Sequence, residues 1–290
     1  MKQGRGRGDG LASDRCLTPW FQEAAVEAHD IQFLPTDIPG HDWTERMCGR
    51  YVSPDEAAIE REYQVDRTNS RLRLDAEIDQ AFLQSFNVAP TNNVPVVHVI
   101  RGHNGEREAV LMRWGLIPFF ARGELPKYST INATIEKLDT APAWRGSWER
   151  GQRCVMPCAG FYEWKVMEDG RKQPFYIKPA NEETFAFAAL WDKSITAGGE
   201  VIVSCAVITM PANELLRDIH NSKFRMPAIL RHEHIETWLS GTPQEARAVL
   251  LPFPSDEMLA WPVSPQVNAP RNNGPELILP WRGEAQGSLL

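Results

Sequence analysis

Met47-Cys48-Gly49-Arg50-Tyr51 sets a cysteine directly after a methionine, 46 residues into a chain of 290. If the chain is begun or cut so that Cys48 leads, a free α-amine stands beside its own thiol. Two nucleophiles on one residue can close a ring on an aldehyde. The amine condenses to an imine with loss of water, and the thiol then adds to the imine carbon. If residues 1–47 stay attached, the nitrogen is an amide and this route is closed.

Three further segments set reactive or hydrogen-bonding groups among turn residues and aromatics. They are Ser129-Thr130-Ile131-Asn132-Ala133-Thr134-Ile135-Glu136, the stretch from Arg153 to Trp164 containing Gly160-Phe161-Tyr162-Glu163-Trp164, and Ile219-His220-Asn221-Ser222-Lys223-Phe224-Arg225-Met226-Pro227. Taken singly, each has an ordinary structural reading. A cysteine beside a glycine is usually an inert core residue, and Trp114 and Trp164 are by default core aromatics. Cys154 and Cys158 have a C-x3-C spacing. On a strand they share a face but stand about 13 Å apart, and there is no second Cys pair, so they read as structural thiols rather than zinc ligands.

The elements that must position these groups are short and mostly extended. Val94–Ile100 and Ala109–Trp114 read as strands of a hairpin around a turn-rich 101–107. Further strands are expected at Arg153–Met156, Phe161–Lys165, Pro174–Lys178, Thr184–Trp191 and Val201–Thr209, with a last one at Val263–Val267. Ser53-Pro54-Asp55-Glu56 and Thr242-Pro243-Gln244-Glu245 read as capping boxes opening helices. Two more helices are expected at Ala212–Ile219 and His234–Leu239. Many short strands with few helices predict an α+β fold, a mostly antiparallel sheet curled into a barrel with peripheral helices. Residues 1–46, Gly/Arg-rich at the start and without sustained periodicity, read as an N-terminal extension, disordered or untranslated. Residues 47–285 read as one domain.

In this order the four segments resemble the SOS response-associated peptidase family, the abasic-site processing proteins. Phe86-Asn87-Val88-Ala89-Pro90-Thr91, Trp114-Gly115-Leu116-Ile117-Pro118 and Val267-Asn268 extend the resemblance from Met47 to about residue 280. It implies recognition of abasic sites in single-stranded DNA, with Cys48 as N-terminal residue closing a thiazolidine on the sugar aldehyde. It also implies a peptidase-like activity, either removal of the preceding Met or release from the crosslink. The α-amine, with a reference pKa of about 7.7–8.0, would attack first, and the thiol would follow. The resemblance makes Asn132, Glu163 and His220 the partners of Cys48: an amide to hold the open sugar, a carboxyl to shuttle protons and an acid/base imidazole. It makes Arg50, Arg225 and Lys223 phosphate contacts, Trp114 and Trp164 surfaces for stacking or wedging, and Asn87 and Pro90 shapers of the same groove. Two positions depart from the family pattern. Thr134 stands where an Arg is usual, and three extra residues separate His220 from Arg225-Met226-Pro227. His220 is expected to keep its place while the loop bulges. Met47 sits where the family's initiator belongs, so residues 1–46 are expected to come from a start assigned too far upstream.

The net charge of −7 excludes a bulk electrostatic attraction to nucleic acid, so DNA binding needs a local basic groove. Residues 1–46 hold five basic and eight acidic side chains, or −3 of that total, so losing them does not make the chain basic. No apolar run approaches the roughly 18 residues of a membrane span, no secretory signal opens the chain, and five cysteines suit a reducing compartment. A cytoplasmic protein, at the nucleoid when bound to DNA, is expected, with no membrane partner, no cofactor and no metal. The resemblance suggests a monomer. Two rival readings stand beside this one. One is a thiol peptidase using Cys48 and His220. The other is a non-catalytic binder of single-stranded nucleic acid, if the extension is retained.

Overall fold

In the computed structural model, residues 48–65, 83–100 and 105–283 are described. Along the chain lie β1 (Tyr51–Ser53), α1 (Glu56–Tyr63), β2 (Ser85–Val88), β3 (Asn93–Val99), β4 (Arg107–Trp114) and β5 (Asn132–Thr134). Then come α2 (Pro142–Glu149), β6 (Arg153–Cys158), β7 (Gly160–Val166), β8 (Lys172–Pro179), β9 (Phe185–Ile195) and β10 (Val201–Pro211). The chain continues through α3 (Glu214–Ile219), β11 (Arg225–Pro227), β12 (Ile229–Leu230), α4 (Ile235–Ser240), α5 (Pro243–Ala248) and β13 (Met258–Pro262). Among the described residues no helix is long and apolar enough to cross a membrane.

Five strands close on themselves in the order β10-β4-β3-β6-β9 and back to β10. All pairings in the ring are antiparallel except β10 with β4. Closure removes the exposed edges that an open sheet would present. β10 is the hub. Its run of Val201, Ile202, Val203, Val207 and Ile208 suits a long strand, and beyond the ring it pairs with β5 and β11. A second antiparallel sheet, β13-β8-β7-β1-β2, lies against the barrel. Tyr51 meets Trp114 edge-on at 5.6 Å between ring centroids, and Phe161 meets Phe187 at 5.6 Å. These rings weld the two sheets into one core.

The chain passes from barrel to second sheet at Ala159-Gly160, and the crossing requires glycine. A Cβ on Gly160 would fall 2.1 Å from the ring of Tyr176. The Tyr176 hydroxyl in turn donates to the Ala159 carbonyl at 2.8 Å. From this corner β7 alternates faces: Phe161 joins the barrel core, while Tyr162 and Trp164 join the smaller cluster beneath the second sheet. Glu163 therefore points to the barrel side.

Three local expectations are corrected. Ser53 caps no helix, because it is the last residue of β1; Asp55 is the N-cap and accepts from the Ala58 nitrogen at 2.8 Å. Val263–Val267 is not a strand: β13 ends at Pro262, and Pro265–Asn268 is a short 3-10 turn. α2, with Gly146 in its interior, was not anticipated. The Thr242 capping box is formed in full. The expectations for residues 1–46 lie outside the described residues.

Candidate active site

Strand register brings Cys48 to Glu163. β1 and β7 pair with Tyr51 opposite Phe161 and Val52 opposite Gly160. Extended two residues outward, this register sets Gly49 across from Glu163, and the Tyr162 nitrogen donates to the Arg50 carbonyl at 3.0 Å. Cys48 then bends into the left-handed region, φ 44°. In that bend its backbone nitrogen donates to Glu163 Oε1 at 2.9 Å. Both residues are buried, Cys48 6% and Glu163 1% exposed.

His220 completes a triangle. It caps α3, and its Nδ1 lies 3.8 Å from Glu163 Oε2 and 3.0 Å from the Arg225 carbonyl. A carbonyl only accepts, so Nδ1 carries the proton. Residues 221–224 form a turn between His220 and Arg225. Asn221 pins the turn to the end of β7, accepting from the Val166 nitrogen at 3.0 Å and donating to its carbonyl at 2.9 Å.

Burial pushes the Glu163 carboxyl above the ordinary carboxylate range, against the opposing pull of His220 and the hydrogen bond from Cys48. Burial likewise pushes the Cys48 thiol well up, and the neighbouring Glu163 adds to this, with Arg225 opposing. Burial thus shifts both the carboxyl and the thiol toward their protonated forms, and a hydrogen-bond acceptor stands at the Cys48 nitrogen. The arrangement lacks the electropositive setting that makes a reactive thiolate.

Asn132 lies on β5, beside β10. It opens β5 opposite Val207, four residues before Glu136. Glu136 grips Arg225 with both oxygens, at 2.6 and 2.9 Å, and the same guanidinium donates to the Thr209 carbonyl at 2.7 Å. That ion pair, which the Arg225 hydrogen bond reinforces by holding Glu136 below the usual carboxylate range, was not foreseen; the four-residue interval from Asn132 was its only sequence signal. Around it the hydroxyls of Thr134 and Thr209 and the Nε of Arg225 are buried without a hydrogen-bond partner.

Several residues expected against DNA are instead internal supports. Arg50 is 2% exposed and donates to Asn87 Oδ1 at 2.7 Å and to the Val267 and Asn268 carbonyls at 2.8 and 3.3 Å. Asn87 ties the same region with bonds to the Val267, Ala269 and Asn272 carbonyls. Trp114, 1% exposed, is barrel core and donates to the Ile131 carbonyl at 2.9 Å, just before Asn132. Trp164, 4% exposed, donates to Asn268 Oδ1 at 2.8 Å. Pro90 is buried in the loop whose Thr91 nitrogen donates to the Trp114 carbonyl. Burial is the common reason that Arg50, Trp114 and Trp164 are not available to grip or stack on a strand in this conformation, whereas it leaves the groove-shaping expectation for Asn87 and Pro90 untouched. Lys223 is exposed and Arg225 partly so. The thiols of Cys154 and Cys158 are both core.

The family model described as SOS response associated peptidase matches residues 47–270. A Bacillus subtilis relative, the abasic site processing protein YoaM, is 39% identical over 210 residues, covering 70% of this chain and 89% of its own. YoqW from the same bacterium, also an abasic site processing protein, is 36% identical over 236 residues, 80% of this chain and 99% of its own. The abasic site processing protein HMCES of Xenopus tropicalis is 32% identical over 266 residues, 80% of this chain and 78% of its own. A solved protein of Bacteroides thetaiotaomicron superposes with a TM-score of 0.65 at 26% identity, covering 81% of this chain and 100% of that one.

Proposed function

Since this chain belongs to the SOS response associated peptidase family, we propose that it processes abasic sites in DNA, capturing them in single strands through Cys48 as N-terminal residue. The observation that carries this reading is the 2.9 Å contact between the Cys48 nitrogen and Glu163. Once residues 1–47 are gone, that nitrogen is a free amine beside a proton donor. It adds to the aldehyde carbon C1′ of the opened sugar, giving a carbinolamine. Glu163, whose proton affinity burial raises, gives a proton to the departing hydroxyl, and water leaves as the iminium forms with the nitrogen keeping its hydrogen. The thiol sulfur then bonds to the iminium carbon while the thiol proton passes to the Glu163 carboxylate, and the C=N electron pair moves to the nitrogen, which keeps its hydrogen as the ring amine. The ring shields the lesion from strand cleavage. His220, its Nδ1 proton held by the Arg225 carbonyl, orients Glu163 and offers Nε2 for proton exchange. Asn132 holds the sugar hydroxyls, and Lys223 and Arg225 meet flanking phosphates.

Removal of the preceding residue belongs to the same reading. The left-handed φ of Cys48 exists only while residue 47 is attached, and such a conformation costs roughly 1–3 kcal/mol in a non-glycine residue. Loss of that residue relieves the strain and frees the amine. The domain is taken as 47–285, acting in the cytoplasm as a monomer. A chain beginning at Cys48 is expected to fold, because the matched family segment begins at residue 47 and the solved relative is covered in full by 81% of this chain. A general thiol peptidase is disfavoured by the raised Cys48 thiol.

The test is an abasic oligonucleotide mixed with the chain beginning at Cys48. A band that survives denaturation is expected, absent with intact oligonucleotide and absent with Cys48→Ser. An unchanged band from Cys48→Ala overturns the reading.

A further inference from the structure

Phe224 combines three properties that a merely structural loop residue does not need. Its backbone is left-handed, φ 55°, a strained choice for a bulky side chain. Its ring is 51% exposed. Yet the loop is firmly built: the Phe224 nitrogen donates to the His220 carbonyl at 3.0 Å, the Ala212 nitrogen donates to the Phe224 carbonyl at 3.0 Å, and Asn221 fastens the loop to Val166. The strain thus holds an aromatic ring in water, one residue from Arg225 and within a turn of His220. Cations stand close by, Arg225 among them already paired with Glu136. The Arg217 guanidinium lies 6.0 Å from the ring centroid, and Lys223 and Arg225 flank it in the chain. In a protein of net charge −7 this is a local exception.

We propose that Phe224 is a stacking platform for the base next to the abasic nucleotide, with Arg217 and Lys223 beside that nucleotide's phosphate. The proposal rests on the abasic-site reading given above. An abasic nucleotide offers the protein no base of its own, so a neighbouring base is the aromatic surface nearest the reacting sugar. A single exposed ring among cations suits a base and its phosphate, since stacking is sequence-tolerant and each flanking nucleotide brings one negative charge. It is too small an apolar surface for a stable protein partner, which needs about 800 Å² on each side. Trp114 and Trp164, being buried, leave this role open at the site.

The test measures reversible binding by fluorescence anisotropy, using the chain beginning at Cys48 with Cys48→Ser so that no covalent trap forms. On a single-stranded oligonucleotide with one abasic site, Phe224→Ala is expected to raise Kd roughly tenfold. Phe224→Leu, which keeps an apolar side chain without a ring, is expected to behave like the alanine variant, and Phe224→Trp to restore binding. On an oligonucleotide with three consecutive abasic sites, parent and Phe224→Ala are expected to bind alike. Equal binding by parent and Phe224→Ala on the first oligonucleotide overturns the inference, as does an equal loss on both. If the chain beginning at Cys48 forms no crosslink at all, the underlying reading falls and this inference with it. If it crosslinks while Phe224→Ala leaves Kd unchanged, this inference alone falls.

Discussion

The backbone nitrogen of Cys48 donates to Glu163 Oε1 at 2.9 Å across 115 residues of sequence. The antiparallel pairing of β1 with β7 brings the chain before β1 alongside Glu163, and the left-handed bend at Cys48 turns its nitrogen onto the carboxyl. A carboxyl held there by strands is oriented before any substrate arrives.

Glu163→Gln keeps the shape and removes the transferable proton. The crosslinking rate of the chain beginning at Cys48 is expected to fall by about 10²-fold or more, the usual scale for a lost general acid–base. Quenched time courses on denaturing gels measure it. A rate within twofold of the parent would show that Glu163 moves no proton in the slow step.

The same residue sets a pH dependence of stability. Folding raises its proton affinity, chiefly by desolvation. Its favourable contribution is therefore complete below the ordinary carboxylate range and is lost as pH rises through the elevated folded value. Melting temperatures across that window should fall for the parent relative to Glu163→Gln. Parallel curves would contradict the assignment of a protonated buried carboxyl.

Glu136 and Arg225 form a bidentate pair in which Glu136 is half exposed. A phosphate on Arg225 must compete with this carboxylate. Glu136→Gln is expected to tighten single-stranded DNA binding and to steepen the salt dependence by about 0.7 in log Kd per log salt for the one phosphate gained. Its cost in stability is expected to be within about 1 kcal/mol, since the pair faces solvent. Titrations at several salt concentrations decide this, and an unchanged slope would place Arg225 outside the DNA contact.

Arg50 is an internal tie between β1, Asn87 and the 267–268 turn. Arg50→Met leaves Asn87 Oδ1 and the Val267 carbonyl each short of a charged donor, and about 3 kcal/mol or more of folding stability is expected to go with them. Urea unfolding measures it. A stability change near zero, with DNA affinity lost instead, would return Arg50 to the phosphate-gripping role.

Much of the barrel was legible in the sequence because its long strands carry strong apolar signals, β-branched in β10 and aromatic and small apolar in β9. The short pieces that complete it were not. β5, β11 and β12 have two or three residues each, too few for a period to show, and they pair with stretches of β9 and β10 that run beyond the ring's own pairings. Ser53 carried the cap signal, but β1 continues through it, and the cap falls to Asp55. Cys48, Glu163 and His220 were singled out through order and motif; the β1–β7 pairing brings Cys48 beside Glu163, and the end of α3 brings His220 near the same carboxyl. The roles of Arg50, Trp114 and Trp164 were not legible, since a cation or an aromatic beside glycine reads equally well as binding surface or as core. Only burial separates the two.

Mass spectrometry of the product formed with a single-abasic oligonucleotide tests the central claim most directly. The chain beginning at Cys48 is predicted to give one adduct, protein plus oligonucleotide minus one water, mapped to Cys48 with its thiol no longer alkylatable, while the 290-residue chain gives none. An adduct mapped to a lysine, or one formed equally by the 290-residue chain, would contradict capture through the Cys48 α-amine.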